Sequence, residues 1–251
     1  MAEIVVPPSR FAGESGASDG SGSVFALGID AREVLPTWTA ARALVDRTGR
    51  WPVAVCSFDF KLDETSGLAS IVDQLNPFFF EQELVGASDP ASVIARSRLV
   101  DVDAEFARLG IEADWLDDPD PANVPESVPE FNEWYEPRDQ LVALLFLPDP
   151  IPEHALAYVH WYAGNSSLPS HVLIAVLRRW RETFGAEVVA NWGTMLQLVA
   201  SRRPSTIGEA LALARQQELV APCTTALPGA STEEQAAALL ASDRWFLHER
   251  P

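Results

Sequence analysis

Histidine and cysteine, the side chains that most often bind metals or act as nucleophiles, are few in this chain and widely spaced. The four histidines all lie in the C-terminal half, at His154, His160, His171 and His248. His154 and His160 are six positions apart and share no helix face, and Cys56 and Cys223 form no Cys-x-x-Cys pair. A zinc site needs such ligands to converge. We therefore predict no metal site and no cofactor.

The two thiols are also poor candidates for nucleophilic catalysis. Cys56 lies within a predicted buried strand, where an inert thiol is expected. Cys223 follows Pro222 after the C-terminus of a predicted helix, where the helix dipole disfavours a thiolate. The glycine-rich loops that bind nucleotides, the His-Glu-x-x-His motif and the EF-hand pattern are absent, and Lys61 is the only lysine. No residue is therefore assigned a catalytic role.

Acidic side chains are concentrated in the middle of the chain. Residues 101–139 contain 13 acidic side chains against Arg108 and Arg138, a net charge of −11 within a total of −18. The five prolines of 111–139 rule out a long helix there. A carboxyl group acts as a general acid only in a water-poor pocket, and the segment lacks the glycine and spacing of a calcium loop. Two interpretations stay open: a solvated acidic loop, and a surface that docks another protein.

Bulky aromatic side chains are embedded in this acidic segment, where apolar surface needs a physical reason. Either they pin the segment onto its own domain, or they anchor a partner. For the second case we select acidic and aromatic side chains as candidate partner-binding residues. These are Trp115, Asp117, Asp118, Asp120, Trp134 and Tyr135.

A second group of side chains falls at predicted strand ends, turns and a helix start farther along the chain. Trp161, Asn165, His171 and Trp192 are the members of this group, and they are candidates for lining one pocket. Packing in the core or at a sheet edge explains the tryptophans equally well. The alternative function is a divergent, hydrolase-like enzyme with its pocket near Asn165, His171 and Trp192.

The overall charge narrows the classes of partner. With 36 acidic against 18 basic side chains, the surface repels nucleic-acid phosphates and anionic lipids and attracts basic proteins. The N-terminus lacks the basic start and apolar run of a signal peptide. Leu141–Leu147, the longest strongly apolar stretch, is far too short to span a bilayer. We expect a cytoplasmic protein that binds a basic protein, and we make no prediction about homo-oligomers.

The alternation of apolar patterns predicts an α/β (α+β) fold, a mixed β-sheet flanked by helices in a single domain. Residues 1–23 read as a flexible leader, 24–110 as the N-terminal half, 111–139 as the acidic loop or linker, and 140–251 as the C-terminal half.

Strands are predicted at 24–27, 51–58, 140–147, 157–162, 187–191, 196–199 and 244–248. Helices are predicted at 30–47, 171–184, 206–220 and 232–241, the last two with Ser/Thr-x-x-Glu capping signals. The apolar residues of 93–106, Leu99 among them, suggest one further helical face that ends at Gly110. Trp180 and Trp245 fall on patterned elements and are predicted to be buried.

The C-terminal part of the sequence resembles the DUF4253 domain, a bacterial domain of unknown function. The resemblance is clearest over 140–248 and rests on Gly164-Asn165, on 175–190 (AVLRRWRETFGAEVVA) and on 196–204 (LQLVASRRP). It continues through 209–215 and 233–246, with a weaker similarity at 48–53. The resemblance implies a fold similar to that of the family, and it implies no activity.

Two departures from the family pattern bear on function. Relatives typically carry Asp-Thr where this chain has Thr194-Met195, and Cys-Pro-Asp where it has Ala221-Pro222-Cys223. If those polar positions serve a shared chemistry, this chain has lost them. We therefore expect a non-enzymatic protein-binding module, of the immunity or antitoxin type, that neutralises a basic partner.

Overall fold

The computed structural model describes residues 24–56, 89–113, 118–126, 134–137, 142–159, 161 and 168–249, and the backbone of 4–6. Its strands are β1 (Ile4–Val6), β2 (Val24–Ile29), β3 (Trp51–Cys56), β4 (Val142–Leu147), β5 (Ala186–Asn191), β6 (Met195–Ala200) and β7 (Arg244–His248). Its helices are α1 (Val34–Arg42), α2 (Val45–Thr48), α3 (Pro90–Ser97), α4 (Val102–Glu112), α5 (Ala155–Tyr158), α6 (Ser170–Phe184), α7 (Ile207–Val220), α8 (Cys223–Ala226) and α9 (Thr232–Ala241).

The chain folds as two compact units whose sequence segments alternate. The first comprises Met1–Arg96, Glu136–Trp161 and Val188–Gly193. The second comprises Ser97–Tyr135, Tyr162–Glu187 and Thr194–Pro251. Each unit therefore combines residues that are distant in sequence, and each is described by itself below.

A mixed sheet forms the centre of the first unit, with the strand order β1-β2-β4-β3-β5. β4 pairs antiparallel with both β2 and β3, whereas β3 pairs parallel with β5. All six residues of β3 are buried, which fits its uninterrupted apolar sequence, Trp-Pro-Val-Ala-Val-Cys. The predicted mixed sheet with flanking helices is confirmed.

Two tryptophans attach α1 to this sheet. Val34 and Trp38 form the buried face of α1, and the indole N–H of Trp38 donates to the Pro52 carbonyl at 3.0 Å. The indole N–H of Trp51 donates to the Val188 carbonyl at 3.0 Å. Because both indole N–H groups donate hydrogen bonds, the two large side chains are buried without an unsatisfied polar group. The two rings also pack edge to face, with their centroids 5.9 Å apart.

The core of the second unit is built around Trp180 and Trp245. Both are fully buried, and their ring centroids lie 6.3 Å apart in a T-shaped arrangement. The indole N–H of Trp180 donates to Gln216 Oε1 at 2.8 Å. The antiparallel pairing of β6 with β7 places Trp245 opposite Leu198. Burial of both tryptophans was predicted from the sequence and is confirmed.

Local capping residues set the starts of two helices in the second unit. Ser231 and Glu234 form a complete capping box at α9. At α7, the Thr206 hydroxyl accepts from the Glu209 backbone N–H at 3.2 Å, and the Glu209 carboxylate accepts from the Ser205 backbone N–H at 2.7 Å. The predicted starts of both helices are confirmed, because the capping residues act within a single turn.

Three predictions about elements need correction. Residues 157–162 were predicted as a strand, but 155–158 form α5, because Pro152 begins a helical turn that continues into it. The apolar residues of 93–106 belong to two helices, since the Asp101 side chain caps α4 and leaves Leu99 in the turn between them. Residues 4–6, placed in the flexible leader, form β1 and pair with β2. The rest of that leader lies outside the described residues.

Candidate functional site

The described portion of the acidic segment is anchored to the second unit. The backbone N–H of Asp120 donates to Glu233 Oε1 at 3.0 Å, at the start of α9. The Asp120 carboxylate accepts from the Ala122 N–H at 2.9 Å and caps a short 3-10 helix, Pro121–Asn123. Asp118 and Asp120 are both exposed. This part of the segment is therefore a fixed, solvent-facing loop.

The anchor itself depends on an ionised Glu233. Burial, the largest influence, raises the pKa of Glu233, but hydrogen bonds from the Asp120 N–H, its own N–H and the Ser231 hydroxyl act in the opposite direction. The net result is a pKa below the ordinary value of glutamate. At neutral pH the carboxylate therefore stays charged and holds the Asp120 backbone in place.

Trp134 and Tyr135 pack on their own unit. The Arg244 guanidinium lies 5.7 Å from the Trp134 ring centroid, within cation–π range. The buried Gln197 side chain donates to the Tyr135 carbonyl at 3.0 Å. Both residues are half-buried, and these contacts are made by the ring of Trp134 and by the backbone of Tyr135. A partner-anchoring role for the two side chains stays a prediction. Trp115 and Asp117 lie outside the described residues.

The second predicted group is divided between the two units. Trp161 and Trp192 belong to the first unit and are each only 2% exposed, while His171 belongs to the second and is half-buried. Asn165 lies outside the described residues. The buried Asn191 side chain donates to the Val159 carbonyl and accepts from the Gly193 N–H, which ties together the segments that carry the two tryptophans. A pocket lined by the whole group stays a prediction.

A histidine–aspartate pair that sequence analysis missed lies in the first unit. His154 Nδ1 and Asp149 Oδ2 are 2.7 Å apart, and the His154 side chain is 7% exposed. Asp149 Oδ1 also accepts from the Ile151 N–H, and the Asp149 carbonyl accepts from the Trp51 N–H. In neutral His154, this arrangement places the proton on Nδ1 and leaves Nε2 as an acceptor. The Asp-Pro-Ile-Pro-Glu-His sequence, in which prolines restrict the loop, was the available signal.

Tyr158 lies in the field of the same aspartate. Burial, then the negative charges of Asp149 and Asp89, raises the pKa of Tyr158 to about 12. The phenol is therefore a proton donor throughout the physiological range. In the described ranges no group of three histidine, cysteine, aspartate or glutamate side chains is arranged to hold a metal ion. The chemistry available from His154, Asp149 and Tyr158 is proton transfer and hydrogen bonding.

The two segments that depart from the family pattern, Thr194-Met195 and Ala221-Pro222-Cys223, are both hydrogen-bonded to Glu249, a buried residue of the second unit. The Glu249 backbone N–H donates to the Thr194 carbonyl at 2.9 Å, and the Glu249 carboxylate accepts from the Cys223 N–H at 3.2 Å. The Thr224 hydroxyl additionally accepts from the His248 N–H at 2.9 Å. Positions 194 and 223 thus belong to one structural cluster, in which Glu249 makes local hydrogen bonds.

The two thiols differ in accessibility, which predicts different reactivity. Burial raises the pKa of Cys56 to about 12, so only about one molecule in 10⁴ is a thiolate at pH 8. Cys223 is half-buried and forms no disulfide among the described residues. We expect one rapidly reacting thiol with Ellman's reagent in the native protein and a second only after unfolding. Cys223→Ser should remove the fast reaction, and a fast thiol that survives this change would contradict the assignment.

A shallow groove of about 250 Å³ opens on the second unit between the start of α4 and α6. Asp101, Arg178, Arg179 and Glu182 provide its charged lining. Arg178 donates to the Ser97 carbonyl at 2.9 Å, and Arg179 pairs with Asp103 at 2.9 Å. Because the lining charges balance and both arginines have partners, the groove favours neither an anion nor a cation.

None of the helices described here is long and apolar enough to cross a membrane.

Comparison with known proteins supports the resemblance seen in the sequence. Residues 143–248 match the family model described as Domain of unknown function (DUF4253). The comparison with curated proteins and the comparison with solved structures each find no match. The matched span runs from β4 to the end of β7 and includes α6, the capped helices α7 and α9, and the Trp180–Trp245 core. Over residues 143–248, this chain is therefore similar to the DUF4253 family, a domain of unknown function.

Proposed function

We propose that this protein is a non-enzymatic binding module that covers and neutralises a basic protein, as immunity and antitoxin proteins do. The observation that carries the proposal is the presentation of acidic side chains by 118–126. Asp118 and Asp120 are exposed, and neither forms an ion pair in the described ranges, while the Asp120 backbone is held by Glu233. Their charges are therefore available to a partner.

A binding surface benefits when the loop that carries it is already ordered before the partner binds. A loop that is already ordered loses less conformational entropy on binding than a flexible one. The hydrogen bonds of Asp120 to Glu233 and Ala122 provide this order. The net charge of −11 over 101–139 adds long-range attraction, which accelerates the encounter with a positively charged partner.

The proposal is tested by association kinetics. The partner is recovered by affinity purification of the full chain from its own cells at low salt, identified and purified. Replacement of Asp117, Asp118 and Asp120 by Asn should slow association by about tenfold at low salt and much less at high salt, because salt screens exposed charges. Asn at 120 keeps the side-chain oxygen that caps the 3-10 helix.

The matched control removes the same net charge elsewhere. Glu33→Gln, Asp46→Asn and Asp243→Asn change three exposed acidic residues outside 101–139. We expect this triple variant to associate at nearly the wild-type rate. If both variants slow association equally, only net charge matters and the acidic loop is not the binding surface. An association rate that does not depend on salt would sink the electrostatic proposal.

A further inference from the structure

Four buried polar side chains lie between α7 and α9, two helices whose other buried side chains are apolar. Gln217 and Gln235 have no exposed surface, and Glu218 and Thr232 are 2% and 8% exposed. They come from the last turn of α7 and the first turn of α9. Burial of polar groups costs stability unless new hydrogen bonds replace those with water. This polar layer therefore needs a physical reason.

Two hydrogen bonds cross from one helix to the other. The Thr232 hydroxyl donates to Glu218 Oε2 at 2.6 Å, and Gln235 Nε2 donates to Gln217 Oε1 at 2.7 Å. An amide has a donor and an acceptor, so a single bond between two amides leaves one of each over. Here Gln217 Nε2 and Gln235 Oε1 are buried and have no partner among the described residues. Apolar packing of the same volume would cost less, so stability alone does not explain the layer.

The layer provides a defined alignment of the two helices. Buried apolar side chains can pack in several registers of similar free energy, whereas a buried donor must meet its acceptor. Gln217 and Glu218 are consecutive in α7, and their partners Gln235 and Thr232 are one turn apart on α9. Two bonds at different positions restrict both the sliding and the rotation of the first turn of α9.

The position of this turn matters because the acidic loop 118–126 is attached to both helices. Its 3-10 helix, Pro121–Asn123, contacts α7. Its Asp120 backbone N–H is bound by Glu233, the residue that directly follows Thr232 in α9. A shift of α9 along α7 would carry the Glu233 carboxylate away from the Asp120 N–H, while the 3-10 helix stayed on α7.

We propose that the buried polar layer positions the acidic loop by holding α9 in one register on α7. Its members act through Glu233 and are positioning residues, with no contact to a partner of their own. The consequence for partner binding rests on the proposed function, whereas the coupling between the layer and the loop does not. The positioning residues are Gln217, Glu218, Thr232 and Gln235.

The test combines Gln217→Met with Gln235→Met, which replaces both amides by unbranched apolar side chains of similar length. We expect Tm equal to or above that of the wild type, because the unpaired buried polar atoms are removed. Amide hydrogen exchange at Asp120, followed by NMR in the full chain, should become about tenfold faster because the bond to Glu233 is made less often. A merely structural role would move stability and protection in the same direction.

Matched variants calibrate this measurement. Glu233→Ala gives the exchange rate of Asp120 without its anchor. Gln216→Met changes the neighbouring glutamine of α7, which accepts from the Trp180 indole instead of bonding to α9. It should lower Tm and change exchange at Asp120 by less than about twofold. Thr232→Val should accelerate exchange at Asp120, and Thr232→Ser, which keeps the hydroxyl, should restore it.

The outcomes separate this inference from the proposed function. Wild-type exchange at Asp120 in the double Met variant overturns the positioning role, as does equal acceleration by Gln216→Met. Faster exchange together with a lower Tm in the double Met variant reflects general loosening and overturns it too. Equal rates for Thr232→Val and Thr232→Ser refute the part assigned to the hydroxyl. The proposed function is judged by the salt-dependent association of the purified natural partner, and its failure would leave these exchange rates unchanged.

Discussion

Replacement of Trp245 by alanine should lower the free energy of unfolding by about 3–5 kcal/mol, the range for large aromatic deletions in a core. Trp245 has no exposed surface and packs edge to face on Trp180 at 6.3 Å and on Phe184 at 5.6 Å. Alanine would leave a cavity between these rings. Urea unfolding followed by circular dichroism, with the m-value checked for constancy, measures the loss.

The two tryptophans offer a matched comparison through Trp→Phe changes. The Trp245 indole N–H makes no hydrogen bond within the described residues, so Trp245→Phe loses packing and no polar contact. Trp180→Phe also removes the bond to Gln216 and should cost about 1 kcal/mol more than Trp245→Phe. A loss below about 1 kcal/mol for Trp245→Ala would contradict the core described above.

Gly185→Ala should destabilise the protein by about 2–3 kcal/mol. Gly185 ends α6 at φ +65°, where its N–H donates to the Arg181 carbonyl at 2.7 Å. A β-carbon there would overlap Ser201 Oγ and lie 3.1 Å from Ser201 Cβ. Left-handed backbone strain contributes about 1 kcal/mol of this loss, and displacement of Ser201 contributes the rest.

Gly49→Ala is the control variant that measures the cost of left-handed backbone strain alone. It also ends a helix at φ +65°, but a β-carbon there would meet nothing within 4 Å. Gly49→Ala should therefore cost only about 1 kcal/mol. Ser201→Gly in the Gly185→Ala background should restore most of the difference. Equal losses for the two glycine variants, measured by urea unfolding, would show that Ser201 adds no steric cost.

Features that depend on a few neighbouring residues were predictable from the sequence. The capping residues Thr206 and Ser231 act within one helical turn, and both helix starts were confirmed. The apolar runs of β3 and β4 and the periodic positions of Trp180 and Trp245 indicated burial directly. Local hydrogen bonding and side-chain periodicity need no knowledge of the rest of the fold.

The tertiary structure decided the features that join distant segments. The bond from Asp120 to Glu233 spans 113 positions, and Glu249 is bonded to both Thr194 and Cys223. Sequence periodicity placed Leu99 on one helical face with its apolar neighbours, whereas the Asp101 cap starts a new helix and leaves Leu99 in solvent. The sequence by itself determined most of the elements, the acidic charge and the resemblance to the DUF4253 family, because these are local or additive properties. Which acidic side chains are held in place, and which apolar side chains stay uncovered, depended on long-range packing that no local pattern contains.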